Sequence, residues 1–466
     1  MAPSSLSSTR AATSWPAWLR DGQAISIGAV SIGVTLCFYF YPLATLVSVG
    51  AAAVALYRQK LTLLYAIVIT LCCITFYAPY DLAIRDLSAV ARIILLLAVV
   101  GAGLNRTDVR AVMGSGISKL VLAYFVVAVV SALLVNSPSE LSRRVLFRLA
   151  SCVFLYFAVV LASFTYGRLT VAVRALIVAL LALCIYAFYQ VAIQDYGALY
   201  NYLHPPDELS LPWSGRAPSF IVHYNGFAGV VNLLWPFALG YALFGTRRGL
   251  RIAGGTATAL AVPSVVLSQS RGGIAAFGAA IVTAALIVPK SKKRKMLLLG
   301  AAAAMIAIAV PAVLIVAPRT GEVDEGALFR LVIYAAAWTL FLLNPILGVG
   351  YGNFRSHNES FFGLFNVNMD AHNIILMTLA ETGIVGFLAF FALIGAVVIC
   401  GLRAFRHGDS MSRVLGFAAV TSMVTVVVHG MVDAMFLQSP EYNALFFLIA
   451  SLTAAAYLNP GVSQTQ

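Results

Sequence analysis

The stretch IILMTLAETGIVGFLAFFALIGAVVIC, residues 374–400, contains one charged residue, Glu381. A helix rises about 1.5 Å per residue, so roughly 20 apolar residues cross a ~30 Å hydrocarbon core. This stretch is long enough, and it is one of a series. Comparable apolar runs lie near residues 25–41, 43–57, 61–78, 87–104, 117–135, 146–165, 171–194, 225–244, 250–268, 272–288, 296–317, 412–432 and 441–458. Together they make fourteen expected spans, with twelve as the alternative count, because the first pair, hinged at Pro42, is short for two full crossings.

Composition agrees. Of 466 residues, 61% are hydrophobic and 10% charged, and the mean hydropathy is +0.93; soluble domains carry roughly 25% charged residues. The expected fold is therefore an all-α, polytopic transmembrane helix bundle embedded in a lipid bilayer. Soluble, disordered, collagen-like and disulfide-scaffold classes are excluded, and strands of a transmembrane barrel would be shorter and would alternate in polarity. Cys37, Cys72, Cys73, Cys152, Cys184 and Cys400 all fall within apolar runs and read as small buried hydrophobes. They show no disulfide framework or zinc spacing.

The net charge of +13 comes from short basic clusters between spans, without the continuous basic face of a nucleic-acid partner. Topology accounts for them, since Lys and Arg concentrate in cytoplasmic connections. One alternating set holds Arg58 and Lys60, Arg106 and Arg110, Arg168, Arg247, Arg248 and Arg251, the run from Lys290 to Lys295, and Arg403, Arg406 and Arg413. That set is assigned to the cytoplasm. Arg143 and Arg144 break the rule. The opposite set includes two long connections, 195–224 and 318–373, expected as outward-facing loops, periplasmic in a Gram-negative cell. Residues 25–458 form the membrane domain, and 1–24 and 459–466 are expected as cytoplasmic tails, the first lacking a cleavable-signal pattern.

Polar residues that could do chemistry concentrate on the outward side, in three groups: GRAPSFIVHYNG (215–226), SQSRGG (268–273), and the segment from Arg330 through NPILGVGYGNF (344–354) to DAHNIILMTLAETGIVG (370–386). Arg271 could snorkel to lipid headgroups. Its flanking Gly272 and Gly273 favour instead a planar guanidinium that binds a phosphate or diphosphate. Arg216 reads the same way. His372 opens a span at the end of the longest outward loop, followed by Asn373, and imidazole titrates near neutral pH, which suits a general base. Asn225 could cap its helix or contact substrate, and Arg330 and Tyr351 are further candidate contacts. Glu381, nine residues beyond His372, is expected on a different face and structural. His429 and Asp433, four apart, share a helix face and are expected to stabilise the bundle. Gly348, Gly350 and Gly352 are read as turn glycines, because no Walker lysine follows them.

These motifs together resemble the O-antigen ligase and Wzy-type polymerase superfamily. GRAPSF with HYNG before a span, SQSRGG between spans, Arg330 with Trp338 eight residues on, NPILGVGYGNF, and AHNIILMTLAETGIVG carry the likeness, over about Gly215 to Gly386. The resemblance implies a bundle of about twelve helices and glycan transfer from undecaprenyl diphosphate without metal or other cofactor. Arg216 and Arg271 would hold the diphosphate and His372 would act as catalytic base toward the acceptor hydroxyl, with Asn225, Arg330, Tyr351 and Asn373 near the substrate. The implied location is the bacterial inner membrane with the site facing the periplasm. The implied acceptor is a saccharide or lipid A core, and polysaccharide export or chain-length proteins are candidate partners.

The residues themselves allow the same chemistry. A sugar on a lipid diphosphate has a good leaving group once the charge is neutralised, so cationic stabilisation, positioning and a base suffice. Attack opposite the diphosphate inverts the anomeric centre, and no carboxylate pair at glycosidase spacing is evident. A protein O-oligosaccharyltransferase of the same superfamily is one alternative. A multi-span secondary transporter is the other, although its polar groups would sit near the midplane in related halves.

Overall fold

The computed structural model describes residues 106–134, 139–166, 169–194, 215–221, 223–288, 322–361, 370–433 and 440–458, with isolated positions at 92–99 and 293–300. The expected spans before residue 87, and most of 87–104 and 296–317, lie outside the described residues. The helices are α1 (Arg106–Gly114), α2 (Gly116–Leu134), α3 (Glu140–Tyr166), α4 (Leu169–Ala192), α5 (Tyr224–Phe244), α6 (Arg248–Leu267), α7 (Arg271–Ile287), α8 (Glu322–Leu343), α9 (Phe354–Phe361), α10 (Ile374–His407), α11 (Ser410–Gly430) and α12 (Pro440–Leu458). The fold is all-α. Among the described residues, seven helices are long and apolar enough to cross a membrane.

Contacts between helix termini sort the bundle into two ends. Ile374 at the start of α10 packs against Gly430 at the end of α11, and Tyr442 of α12 donates to the Asn225 carbonyl of α5 at 3.1 Å. Ala217 N–H donates to Leu267 O at the end of α6, and Ser219 Oγ donates to Leu183 O of α4. These termini form one end, which carries His372. At the opposite end Ser410 donates to Phe244 O, Arg251 to Ala242 O and Arg403 to the Tyr457 hydroxyl. The basic connections holding Arg247, Arg248, Arg251, Arg403, Arg406 and Arg413 thus share the end opposite His372, as the alternation of charge predicts. Arg143 and Arg144 stand at the start of α3 on the His372 end, where Arg144 pairs with Glu140.

Apolar side chains gain little by leaving lipid for protein, so close packing of small residues has to hold such helices together. Gly401 and Gly416 let α10 and α11 approach until a Cβ on Gly401 would lie 3.1 Å from the Gly416 carbonyl oxygen. Between α5 and α7, Trp235 stacks on Phe277 with ring centroids 4.6 Å apart.

The long outward connection expected at 318–373 is more helical than a loop reading implies. It contains α8 and the short α9. Acidic residues at the start of α8 and Arg330 interrupt the apolar pattern, leaving Arg330–Leu343 as the apolar part, too short at about 1.5 Å per residue to span the core. Arg330 Nη1 donates to Val432 O beyond α11, and Leu347, just past α8, accepts from Ser131 near the end of α2. The first residues of α10 make the same journey, from Gly430 to Ser131, which also donates to Glu381 O. Since α2 and α11 both run antiparallel to α10, with Tyr124 against Phe390 and Gly401 against Gly416, α8 and Ile374–Thr382 run side by side across the His372 end.

A break in α10 makes this possible. Gly383 has φ +63° and ψ −166°, and the two intrahelical bonds that should span it are replaced by bonds to NPILGVGYGNF. Val349 and Gly350 N–H donate to the Ala380 and Glu381 carbonyls at 2.8 and 2.9 Å, while Ile384 and Val385 N–H donate to the Pro345 and Ile346 carbonyls at 2.8 and 3.3 Å. Backbone groups that a broken membrane helix would leave unsatisfied are paired in this way. The contact is backbone to backbone, so a Cβ on Gly348 or Gly383 would overlap the facing main chain.

Candidate active site

Asp433 is the centre of the polar cluster. Its Oδ2 accepts from Asn225 Nδ2 at 3.2 Å, and its Oδ1 lies 3.7 Å from His372 Nδ1, within ion-pair range but longer than a hydrogen bond. Three sequence groups meet at the short segment Met431–Asp433. Asn373 Nδ2 donates to Met431 O at 3.1 Å, Arg330 donates to Val432 O at 3.3 Å, and the Gly272 backbone lies against Val432 and His429.

His372 is held in an unusual conformation. Its φ is +47°, a left-handed geometry in which histidine is enriched but which costs of order 1–3 kcal/mol. Asn373 follows as the N-cap of α10, its Oδ1 accepting from Ile375 and Leu376 N–H at 2.9 and 3.1 Å. The cap lies one residue after His372, starts α10 at Ile374 and leaves the imidazole outside the helix, 28% exposed.

The two arginines expected at the donor converge. Ala217 N–H bonds to Leu267 O, and Gln269 Nε2 bonds to Gly215 O at 2.8 Å, so Arg216 is pinned to the same turn that ends two residues later in Arg271. The Ser270 hydroxyl caps α7 by accepting from Gly273 N–H. Arg216 lies over the Tyr224 ring at 4.5 Å, and Arg271 and Arg330 are exposed. The fold thus brings Arg330 and the segments that carry Arg216 and Arg271 to the end that holds the imidazole–carboxylate pair.

His223 is the N-cap of α5. Its Nδ1 accepts from Asn225 N–H at 3.2 Å, which requires an unprotonated Nδ1. Burial, partly countered by the Asp433 charge, pushes its pKa down to about 4. Burial acts on Asp433 in the opposite sense, raising its pKa, but the neighbouring His372, His429 and His223 outweigh it and hold the carboxyl below its ordinary value. Asp433 is therefore an anion at neutral pH.

Of the expected site residues, Arg216, Asn225, Arg271, Arg330, His372 and Asn373 are brought to one end of the bundle. Tyr351 is not with them. Its side chain is 1% exposed in the core and its carbonyl accepts from Ser142 of α3. Glu381 is internal, as expected, accepting from Phe354 N–H at 3.3 Å. Asp433 was missed as a site residue. Its spacing from His429 reads as an ordinary helix-face pair, although a carboxylate just beyond an apolar span on the outward side was a signal.

An all-α bundle with apolar spans and a cationic, imidazole-bearing cluster at one end defines a polytopic membrane protein with a site at a helix-terminal face. Residues 256–391, from α6 into α10, match the family described as O-antigen ligase. The match covers less than a third of the chain and supports the O-antigen ligase superfamily, and with it a glycosyltransferase-like membrane enzyme. Arg271, Arg330, His372 and Asn373 lie inside the matched stretch; Arg216, Asn225 and Asp433 lie outside it and join the site through the contacts above. No curated protein matches the chain.

Proposed function

We propose that the protein transfers a glycan from undecaprenyl diphosphate to a saccharide acceptor, either a growing polysaccharide or lipid A core, at the periplasmic face of the bacterial inner membrane. The observation that carries this reading is the placement of His372 against Asp433 beside the turn shared by Arg216 and Arg271. The arginines neutralise the diphosphate and make it a better leaving group. His372 takes the proton of the acceptor hydroxyl as that oxygen attacks the anomeric carbon, and the Asp433 carboxylate stabilises the resulting imidazolium. Attack opposite the leaving diphosphate inverts the anomeric centre, and the cations needed come from side chains, without a metal. Polymerisation is favoured slightly over ligation, because the chain is long and its outward connections moderate.

The test is purified protein with lipid-diphosphate glycan and acceptor, following donor binding and product separately. His372→Ala is expected to keep donor binding and to lose about 10² to 10⁴ in rate. A variant that loses binding but turns over normally once loaded would remove the base assignment.

A further inference from the structure

His372 is fixed from the downstream side by the Asn373 cap. On its upstream side the fixed point is Asp370, two residues away. Both oxygens of this carboxylate are engaged by one guanidinium, Arg355 Nε to Oδ1 and Arg355 Nη2 to Oδ2, each at 2.7 Å. The pair is partly buried, with side-chain exposures of 35% for Arg355 and 16% for Asp370. Two parallel bonds in one plane fix orientation as well as distance.

The other end of this clasp is anchored too. Arg355 is the second residue of α9, whose first residue, Phe354, donates its N–H to the Glu381 carboxylate. The residue before it, Asn353, accepts from the Ser139 N–H and hydroxyl through Oδ1 at 3.1 and 2.8 Å. Ala371, between Asp370 and His372, is fully buried. A rigid path therefore runs from the broken segment of α10 through Glu381, α9 and Arg355 to the backbone that enters the left-handed His372.

We propose that Arg355 and Asp370 are positioning residues that hold the His372 imidazole at the acceptor side of the site. The clasp fixes the backbone two residues before His372 and the cap fixes it one residue after, so the strained residue is held from both sides. This inference rests on His372 acting as the base. It assigns to the buried Glu381 the support of the clasp's far end.

The experiment compares Arg355→Gln, Asp370→Asn, their double variant and His372→Ala in the full-length protein, with Arg144→Ala as a surface ion-pair control. Turnover, donor KM and donor binding are measured on protein that elutes as a single species. Each clasp variant is expected to lose about 10²-fold in kcat, the scale of a displaced catalytic group, with donor KM within about twofold. The double variant is expected to be no worse than either single one, because both remove the same contact. Full turnover in the single variants while His372→Ala is inactive overturns the clasp and leaves the base assignment standing. Losses that multiply in the double variant, or that fall on donor binding, overturn it as well. Full turnover by His372→Ala removes the base assignment, and the clasp's role with it.

Discussion

His372 and Asp433 face each other at 3.7 Å from different helix termini, and Asn225 donates to the carboxylate oxygen that His372 does not face. The carboxylate is thereby oriented from a third helix, α5. An imidazole that takes a proton becomes a cation, and an anion already in place lowers the cost of that step.

The first prediction follows from this pair. Asp433→Asn keeps the shape but removes the charge, so turnover should fall by about 10²-fold or more while the donor still binds. Asn225→Ala should have a smaller effect of the same kind, since it removes the carboxylate's orientation but not its charge. Steady-state kinetics with the lipid-linked donor check both, and unchanged kcat in Asp433→Asn would show that the carboxylate only ties helices together.

The donor side makes a separate prediction. Arg271→Lys retains charge but loses the planar fork and should lower transfer by about tenfold, and Arg271→Ala by about 10² to 10³. Arg216→Lys should behave like Arg271→Lys, with the added loss of stacking on Tyr224. Donor binding should weaken in each, in contrast to Asp433→Asn. Normal transfer by a well-expressed double alanine variant would remove the diphosphate proposal.

How much of this was legible in the sequence depends on the length scale of each signal. The spans near 117–135, 146–165, 171–194, 225–244, 250–268, 272–288, 374–400, 412–432 and 441–458 correspond to helices within a few residues at most ends, because a run of apolar residues in lipid has few alternatives to a helix. α8 escaped because Arg330 splits it. The break at Gly383 escaped because its backbone partners lie in a loop more than thirty residues earlier, a long-range pairing that a local pattern does not carry. Arg216, Arg271 and His372 stand out by residue type and position at a boundary, and the fold brings them to one end of the bundle. Asp433 required the fold, since only the approach of α5 and α10 to the end of α11 shows what the carboxylate faces.

The interlock at Gly383 gives a stability prediction. Gly348 has φ +67°, and an added Cβ would overlap the Glu381 carbonyl. Gly348→Ala should therefore destabilise by the ~1–3 kcal/mol of left-handed strain plus the cost of the overlap, seen as a lower thermal transition in detergent. Gly395→Ala is the comparison. Gly395 lies in the middle of α10 with nothing within 4 Å of its added Cβ, so alanine should be neutral or stabilise by up to about 1 kcal/mol. Equal behaviour of the two variants would mean that the loop does not close the helix break.

The final prediction concerns pH. The folded pKa of His223 is about 4, against 6.5 for an ordinary histidine. Between those values the unfolded chain binds a proton at this residue that the folded protein refuses, so stability rises with pH across the window and falls on acidification. Above about pH 6.5 both states are neutral here and the contribution is constant. Asp433 has the usual carboxylate sign: its depressed pKa supports the fold above about pH 3.8 and is lost as pH falls through the folded value, below the histidine window. The thermal transition of the wild type should therefore drop between pH 6.5 and 4. In His223→Asn, whose side-chain oxygen can still cap α5, the drop should be shallower, because the group that resists protonation is gone. The difference between the two curves isolates the contribution of His223. Parallel curves would show that His223 accepts its proton in the folded state without cost, and would remove the unprotonated Nδ1 as the acceptor that begins α5.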